Sequence, residues 1–164
     1  MTRSQIQARA SACTEKVLEA CAQLPSLGGE APVLREYVAE SARKIFQAEV
    51  AGMLVRDGDN YQLGAVSAAV QPGTGKTALL SHAQSFAAQA TEQKRLLNFR
   101  FSYRDLEGEK IYYGLAQPLV TSQSAVVLVM VRSTVFAAVE VSAFSVLGNT
   151  ARLELENAEL AGLY

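Results

Sequence analysis

The segment Pro72, Gly73, Thr74, Gly75, Lys76, Thr77 comes nearest to a recognisable chemistry. A phosphate-binding loop wraps phosphate oxygens in successive backbone N–H groups, adds a lysine and gives magnesium a hydroxyl, and it needs the spacing G-x-x-x-x-G-K-[ST]. Here the position of the first glycine is Val70. The preceding run, Tyr61 to Ser67, reads as the second arm of a hairpin, whereas a phosphate loop follows a buried parallel strand. The apolar run Ala125 to Val131 ends in Arg132, where magnesium would need a carboxylate. The segment therefore reads as a Gly/Pro turn feeding a helix, with Thr74 or Thr77 as cap. A nucleotide-dependent enzyme using the Gly73–Thr77 loop is the rival reading.

Other reactive side chains are sparse. His82 is the one histidine, on a helical pattern with Leu79 and Phe86, and no serine or cysteine nucleophile is marked by a motif beside it. Cys13 and Cys21 are eight residues apart on one helical segment, about 12 Å along its axis, too far to bridge each other. Two cysteines and one histidine at such spacings make no metal site. Asp57 and Asp59, and Asp105, Glu107 and Glu109, fall in turns, where water solvates them; paired acid–base work needs burial and shifted pKa values. The expectation is no catalytic residue and no metal.

Aromatic residues are more informative. Phe99, Phe101 and Tyr103 alternate with Asn98, Arg100 and Ser102, so a strand here has one aromatic and one polar face, and Tyr112 and Tyr113 lie on the neighbouring arm. Such a row packs a core or stabilises a hairpin. Alternatively Phe99, Phe101, Tyr103 and Tyr112 line a pocket for a planar small molecule, with Arg100 or Arg104 nearby for charge. The spacing of two turns Phe99, Phe101 and Tyr103 to one face, towards the interior, and Arg100 away from it.

These residues need elements to hold them. The first is an amphipathic helix carrying Ile6, Ala10, Cys13, Val17, Ala20 and Leu24 at a 4-3-4-3-4 spacing. Pro25 and Gly28–Gly29 end it, and Pro32 opens a second helix with Leu34, Val38, Ser41 and Ile45 inward. Glu49 to Arg56 and Tyr61 to Ser67 form a hairpin about Asp57–Asn60. Ala78 to Thr91 is a helix with Leu79, Ala83, Phe86 and Ala90 on one face. A longer hairpin turns at Asp105–Glu109, the chain returns along Ile111 to Val120, and Ala125 to Arg132 is apolar enough for a central strand. A long last helix carries Phe136, Val139, Ala143, Val146, Thr150, Leu153, Asn157 and Leu160 as a heptad row, beside a second line of Phe144, Leu147, Ala151, Leu155 and Ala158. The row runs intact to the last residues, as in a helix that continues into a further segment.

The architecture expected is α+β: a central antiparallel sheet of five or six strands flanked by helices, with long N- and C-terminal helices. One domain covers 1–164, with N-terminal helices in 1–47, a sheet core with one inserted helix in 48–132, and a C-terminal helix in 134–162. With 164 residues, 49% hydrophobic and 19% charged, the chain can bury a core without staples. Its net charge of −1 gives no attraction to nucleic acid. No apolar run approaches the roughly 20 residues that span a bilayer, and no secretory signal opens the chain, so a cytoplasmic location is expected.

The run Tyr113, Gly114, Leu115, Ala116, Gln117, Pro118, Leu119, Val120, the strand Val126 to Val131, and the ending Leu155, Glu156, Asn157, Ala158, Glu159, Leu160 resemble the end of a GAF domain. The upstream order of elements is similar too, so the resemblance covers nearly the whole chain. It implies a GAF/PAS-like fold and a regulatory, non-enzymatic module in signal transduction, with small-molecule sensing among the family's roles. The Asn-Lys-Phe-Asp-Glu signature of cyclic-nucleotide-binding members is not found. Cys13 and Cys21 lie in the first helix, whereas bilin-binding members and reductases of free methionine sulfoxide use cysteines at the pocket. The ligand, and any cofactor, is left unnamed.

Two lines on the last helix exceed what one sheet face covers. The expectation is a homodimer through the terminal helices, with Val139, Val146, Leu153 and Asn157 at the interface and Asn157 selecting register. The alternatives are that the first helix covers the last within one chain, and that the domain is a degenerate interaction or dimerisation module with no ligand.

Overall fold

The structure is a computed structural model, and it describes residues 2–27, 30–68, 76–105 and 108–161. Helix α1 spans Arg3–Gln23, opened by a capping box: the Gln5 N–H donates to Thr2 Oγ1 and the Thr2 N–H to Gln5 Oε1. A 3-10 turn at Leu24–Leu27 follows it, and α2 spans Ala31–Ile45. Strands β1 (Val50–Asp57) and β2 (Asn60–Ala68) form the first hairpin, with Gly58 at φ 64 in its turn. Two short helices, α3 (Lys76–His82) and α4 (Gln84–Gln93), lead to β3 (Leu97–Asp105), β4 (Gly108–Val120), β5 (Ala125–Arg132) and α5 (Ala138–Ala161).

All strands pair antiparallel in the order β2-β1-β5-β4-β3. The apolar run Val126–Val131 therefore sits in the middle, buried on both faces. Val126, Leu128 and Met130 face a core shared with α1, α2 and α5, and Val127, Val129 and Val131 face one shared with α3 and α4. That is why this strand reads as a continuous hydrophobic run and not as an alternation.

The helices follow their stripes. On α1, Cys13, Val17, Ala20 and the following Leu24 are buried; the side chains of Ile6 and Ala10 lie outside those described. On α2 the buried line is Leu34, Val38, Ala39 and Ala42, so the inward face keeps a four-residue step and Ser41 stands half-buried beside it. The middle helix, expected unbroken over Ala78–Thr91, is two helices. At Ala83 the backbone N–H bonds back three residues to Leu80 instead of four. Leu79, Leu80, Ala83, Ala87 and Ala90 all reach the core as a result, and Phe86 is left half-buried.

Helix α5 is tied down at both ends. At its start Arg132 is buried with five donors used: Nε–H to the Thr134 carbonyl (3.1 Å), Nη1–H to the Phe46 carbonyl (2.7 Å) and Glu140 Oε2 (2.8 Å), and Nη2–H to the Val135 carbonyl (2.8 Å) and Glu140 Oε1 (2.7 Å). Its guanidinium also lies 4.0 Å from the centre of the Phe136 ring. At the far end Glu156 accepts from the Ser122 N–H (3.0 Å) and hydroxyl, and Glu159 from the hydroxyls of Thr121 and Ser124, the latter at 2.6 Å. Two carboxylates thus clasp the β4–β5 turn. No helix among the described residues is long and apolar enough to cross a membrane.

Candidate functional site

Phe99, Phe101 and Tyr103 all lie on the α3/α4 face of the sheet, opposite Gly114, Tyr112 and Lys110 on β4. Arg100 is exposed and, with Arg104, alternates onto the other face, so neither arginine borders the aromatic row. The row is extensively covered by the chain itself. Phe86 of α4 stacks on Phe99 with ring centres 4.3 Å apart and planes within 9°. On its other side Phe99 lies against Gly114, where a Cβ would stand 2.2 Å from the Phe99 Cζ. Phe101 stacks with Tyr112 (5.9 Å) on the sheet and with His82 (5.9 Å, 12°), whose ring meets the Tyr103 ring edge-on at 4.9 Å.

Two kinds of surface result. Phe99 and Tyr112 are buried, so they belong to the core, while Phe101 and Tyr103 are half-buried and form a shelf roofed by the exposed His82. The structure brings all four candidate pocket residues together, and it adds Phe86 and His82, which sequence spacing had left on a separate helix.

Cys13 and Cys21 are free thiols on α1, packed in or against the core on the opposite side of the sheet from the shelf. Burial pushes the Cys13 thiol pKa up, with Glu140 adding to the rise, which disfavours thiolate chemistry there. Asp57 and Asp59 are exposed in the first hairpin, where Asp57 accepts from Gln62 Nε2 at 2.9 Å. Glu109 is exposed in the second, and Glu107 lies outside the described residues. Pro72 to Gly75 also lie outside them, as do the side chains of Lys76 and Thr77, which open α3. The strand before that segment is β2, an antiparallel edge strand paired with β1 alone. Among the described residues no group of three or more His, Cys, Asp or Glu is placed to hold a metal ion.

The second candidate surface is helical. Phe144, Leu147, Ala151 and Leu155 are the buried line of α5, sharing one core with the α1 line Cys13, Val17, Ala20 and Leu24. The first helix therefore covers the last within one chain on that side. The heptad row divides: Phe136 and Ala143 at its start are buried in that core, whereas further along Val146 is 45% exposed, Leu153 54% and Leu160 39%, and Leu18 of α1 is 57% exposed. Val139, between the buried Phe136 and Ala143 of the row, is half-buried, and Asn157 is exposed.

No family model matches the sequence, and no curated protein matches it. Solved structures do match the fold. The GAF domain of a phosphoenolpyruvate-protein phosphotransferase from Coxiella burnetii superposes with a TM-score of 0.69 at 15% identity, over 94% of this chain and 99% of that one. Free methionine-R-sulfoxide reductase from Neisseria meningitidis, in complex with its substrate, gives 0.66 at 12% identity over 93% of each chain. The chromophore-binding domain of an unusual bacteriophytochrome from R. palustris gives 0.62 at 11% identity, over 90% of this chain and 62% of that one. The chain has a GAF-like fold, one shared by domains of a phosphotransferase, a reductase and a bacteriophytochrome. At these identities the likeness carries the fold, and function must be argued from this chain's own surfaces.

The stacking of Phe99 on Gly114 generates a direct test. Gly114→Ala should displace the Phe99 ring and with it the Phe86 stack, costing about 1–3 kcal/mol in urea unfolding, the usual price of overpacking. Unchanged stability would mean that the ring does not press on β4.

Proposed function

We propose that this chain is a non-enzymatic GAF-like regulatory module of signal transduction that works as a homodimer joined through its terminal helices. One observation carries the reading: α5 buries one line of side chains completely and leaves a second apolar row, Val146, Leu153 and Leu160, in water. Isolated exposed apolar side chains are ordinary on a monomer, but these three recur every seven residues along one helix, the repeat on which two-fold helical interfaces are built. Leu18 is a further exposed apolar side chain on α1. Support for a non-enzymatic role comes from the two thiols, which lie across the sheet from the shelf. Two unpaired thiols also support a cytoplasmic location.

Light scattering at micromolar concentration tests the assembly. Twice the chain mass of 17.6 kDa, falling to 17.6 kDa when Val146 and Leu153 are both changed to Glu, is the expected result. A wild-type mass of 17.6 kDa would contradict it.

Small-molecule sensing is the second reading, and the half-buried shelf favours it. His82 lies nearly parallel to Phe101, the placement a planar ligand would take on displacing it. Titration with planar heteroaromatics such as adenine and riboflavin, followed through the His82 ring protons by NMR, is expected to move those resonances and those of Phe101 and Tyr103 together. Unmoved resonances at millimolar ligand would leave the shelf as core packing alone.

A further inference from the structure

Strand β3 is an edge of the sheet, paired with β4 alone. In an antiparallel ladder alternate residues give both backbone groups to the neighbouring strand and the residues between turn theirs outward, so half the N–H and C=O groups of β3 point off the sheet. No backbone hydrogen bond from elsewhere among the described residues takes them. The chain around this edge is basic in a protein of net charge −1: Lys94 to Arg104 carries four positive charges and no negative one. Lys94, Arg95, Arg100 and Arg104 are all exposed, and none forms an ion pair among the described residues, although Glu109 stands opposite Arg104 on β4.

We infer that the outer edge of β3 is a docking site for an acidic, extended segment of a partner protein, which joins the sheet as an added strand. Residues directly opposite on neighbouring strands share a face, so the pattern on β3 dictates the pattern of its partner. Two carboxylates four residues apart meet Arg100 and Arg104, which are about 13 Å apart along the strand. Apolar residues between them fall on the other face, against the half-buried Phe101 and Tyr103. A second copy of this chain fits less well. Pairing β3 with its own image puts arginines beside arginines on one face, and the other edge, β2, has no charged residue and a register break opposite Met53/Leu54. Nucleic acid also fits less well, because the arginines and the aromatic rings lie on opposite faces of the sheet, where one strand of phosphates and bases cannot use both. An added peptide strand meets both faces at once, and its amides satisfy the outward carbonyls, which phosphate cannot.

The test uses a synthetic peptide, Thr-Glu-Val-Thr-Val-Glu-Thr, and its counterpart with lysine in place of both glutamates, titrated into isotope-labelled protein at neutral pH and followed by NMR. The acidic peptide should shift the amides of Asn98 to Arg104 and slow hydrogen exchange at alternate ones. Its dissociation constant should rise about tenfold or more when Arg100→Glu and Arg104→Glu are combined, and that variant should take the lysine peptide instead, which separates lost charge from lost folding. N-methylating one set of alternate peptide amides should abolish binding, and methylating the other set should not. Absence of shifts at millimolar acidic peptide overturns the assignment. So does binding that methylation of neither set weakens, which is charge attraction without strand pairing, and so does tighter binding of oligothymidylate than of the acidic peptide at the same amides.

Discussion

Arg132 carries five N–H groups into the interior, and five oxygens from three segments meet them. A buried guanidinium is tolerable only when every donor is satisfied and its charge is matched, and Glu140 supplies the charge through two parallel bonds. Because the fork is planar and rigid, it fixes direction as well as distance. The end of the central strand, the end of α2 and the start of α5 are held in one geometry by one side chain. From that anchor α5 runs across the sheet to the β4–β5 turn, where Glu156 and Glu159 take up the hydroxyls and the Ser122 amide. With both ends fixed, which line of α5 is buried and which is presented follows from the helical repeat alone.

The sheet then separates two tasks. On one face the aromatic side chains of β3 and β4 meet Phe86 and His82 across a thin layer formed by α3 and α4. On the other, α1, α2 and α5 close a larger aliphatic core. Glycines set how closely side chains and layers approach: Gly114 admits the Phe99 ring of the neighbouring strand onto β4, Gly52 lets Leu80 of α3 close onto β1, and Gly148 admits the Gln117 side chain beneath α5. The Gly114 contact joins the core beside the shelf, and the Gly148 gap lets the Gln117 amide reach the exposed Asn149. Each depends on a missing Cβ, so none tolerates a larger residue without rearrangement.

Periodicity made most of the fold legible. The unbroken run in β5 marked a central strand, the alternation in β3 set its two faces, and the GAF resemblance rested on a C-terminal pattern whose Glu156 and Glu159 prove to clasp the preceding turn. What pattern could not supply is long-range geometry. Arg132 reads as a mere strand end until the carbonyls of Phe46, Thr134 and Val135 converge on it. The break at Ala83 has no proline or glycine to announce it, since a three-residue hydrogen bond needs neither. Of the aromatic candidates, spacing gave the common face but not that Phe86 and His82 would already lie over it. Gln117 reads as an ordinary strand residue until its amide meets Asn149, 32 positions away.

That α5 is fixed to the sheet at both ends, and so presents its exposed row as a rigid surface, is the claim on which the functional reading turns. Native-state hydrogen exchange measures it residue by residue. The backbone amides of Val146 to Leu155 should exchange only through the global unfolding that releases those of Val126 to Val131, with the same dependence on denaturant. Exchange of the α5 amides about a hundredfold or more faster than those of β5, through a local opening with little denaturant dependence, would contradict it.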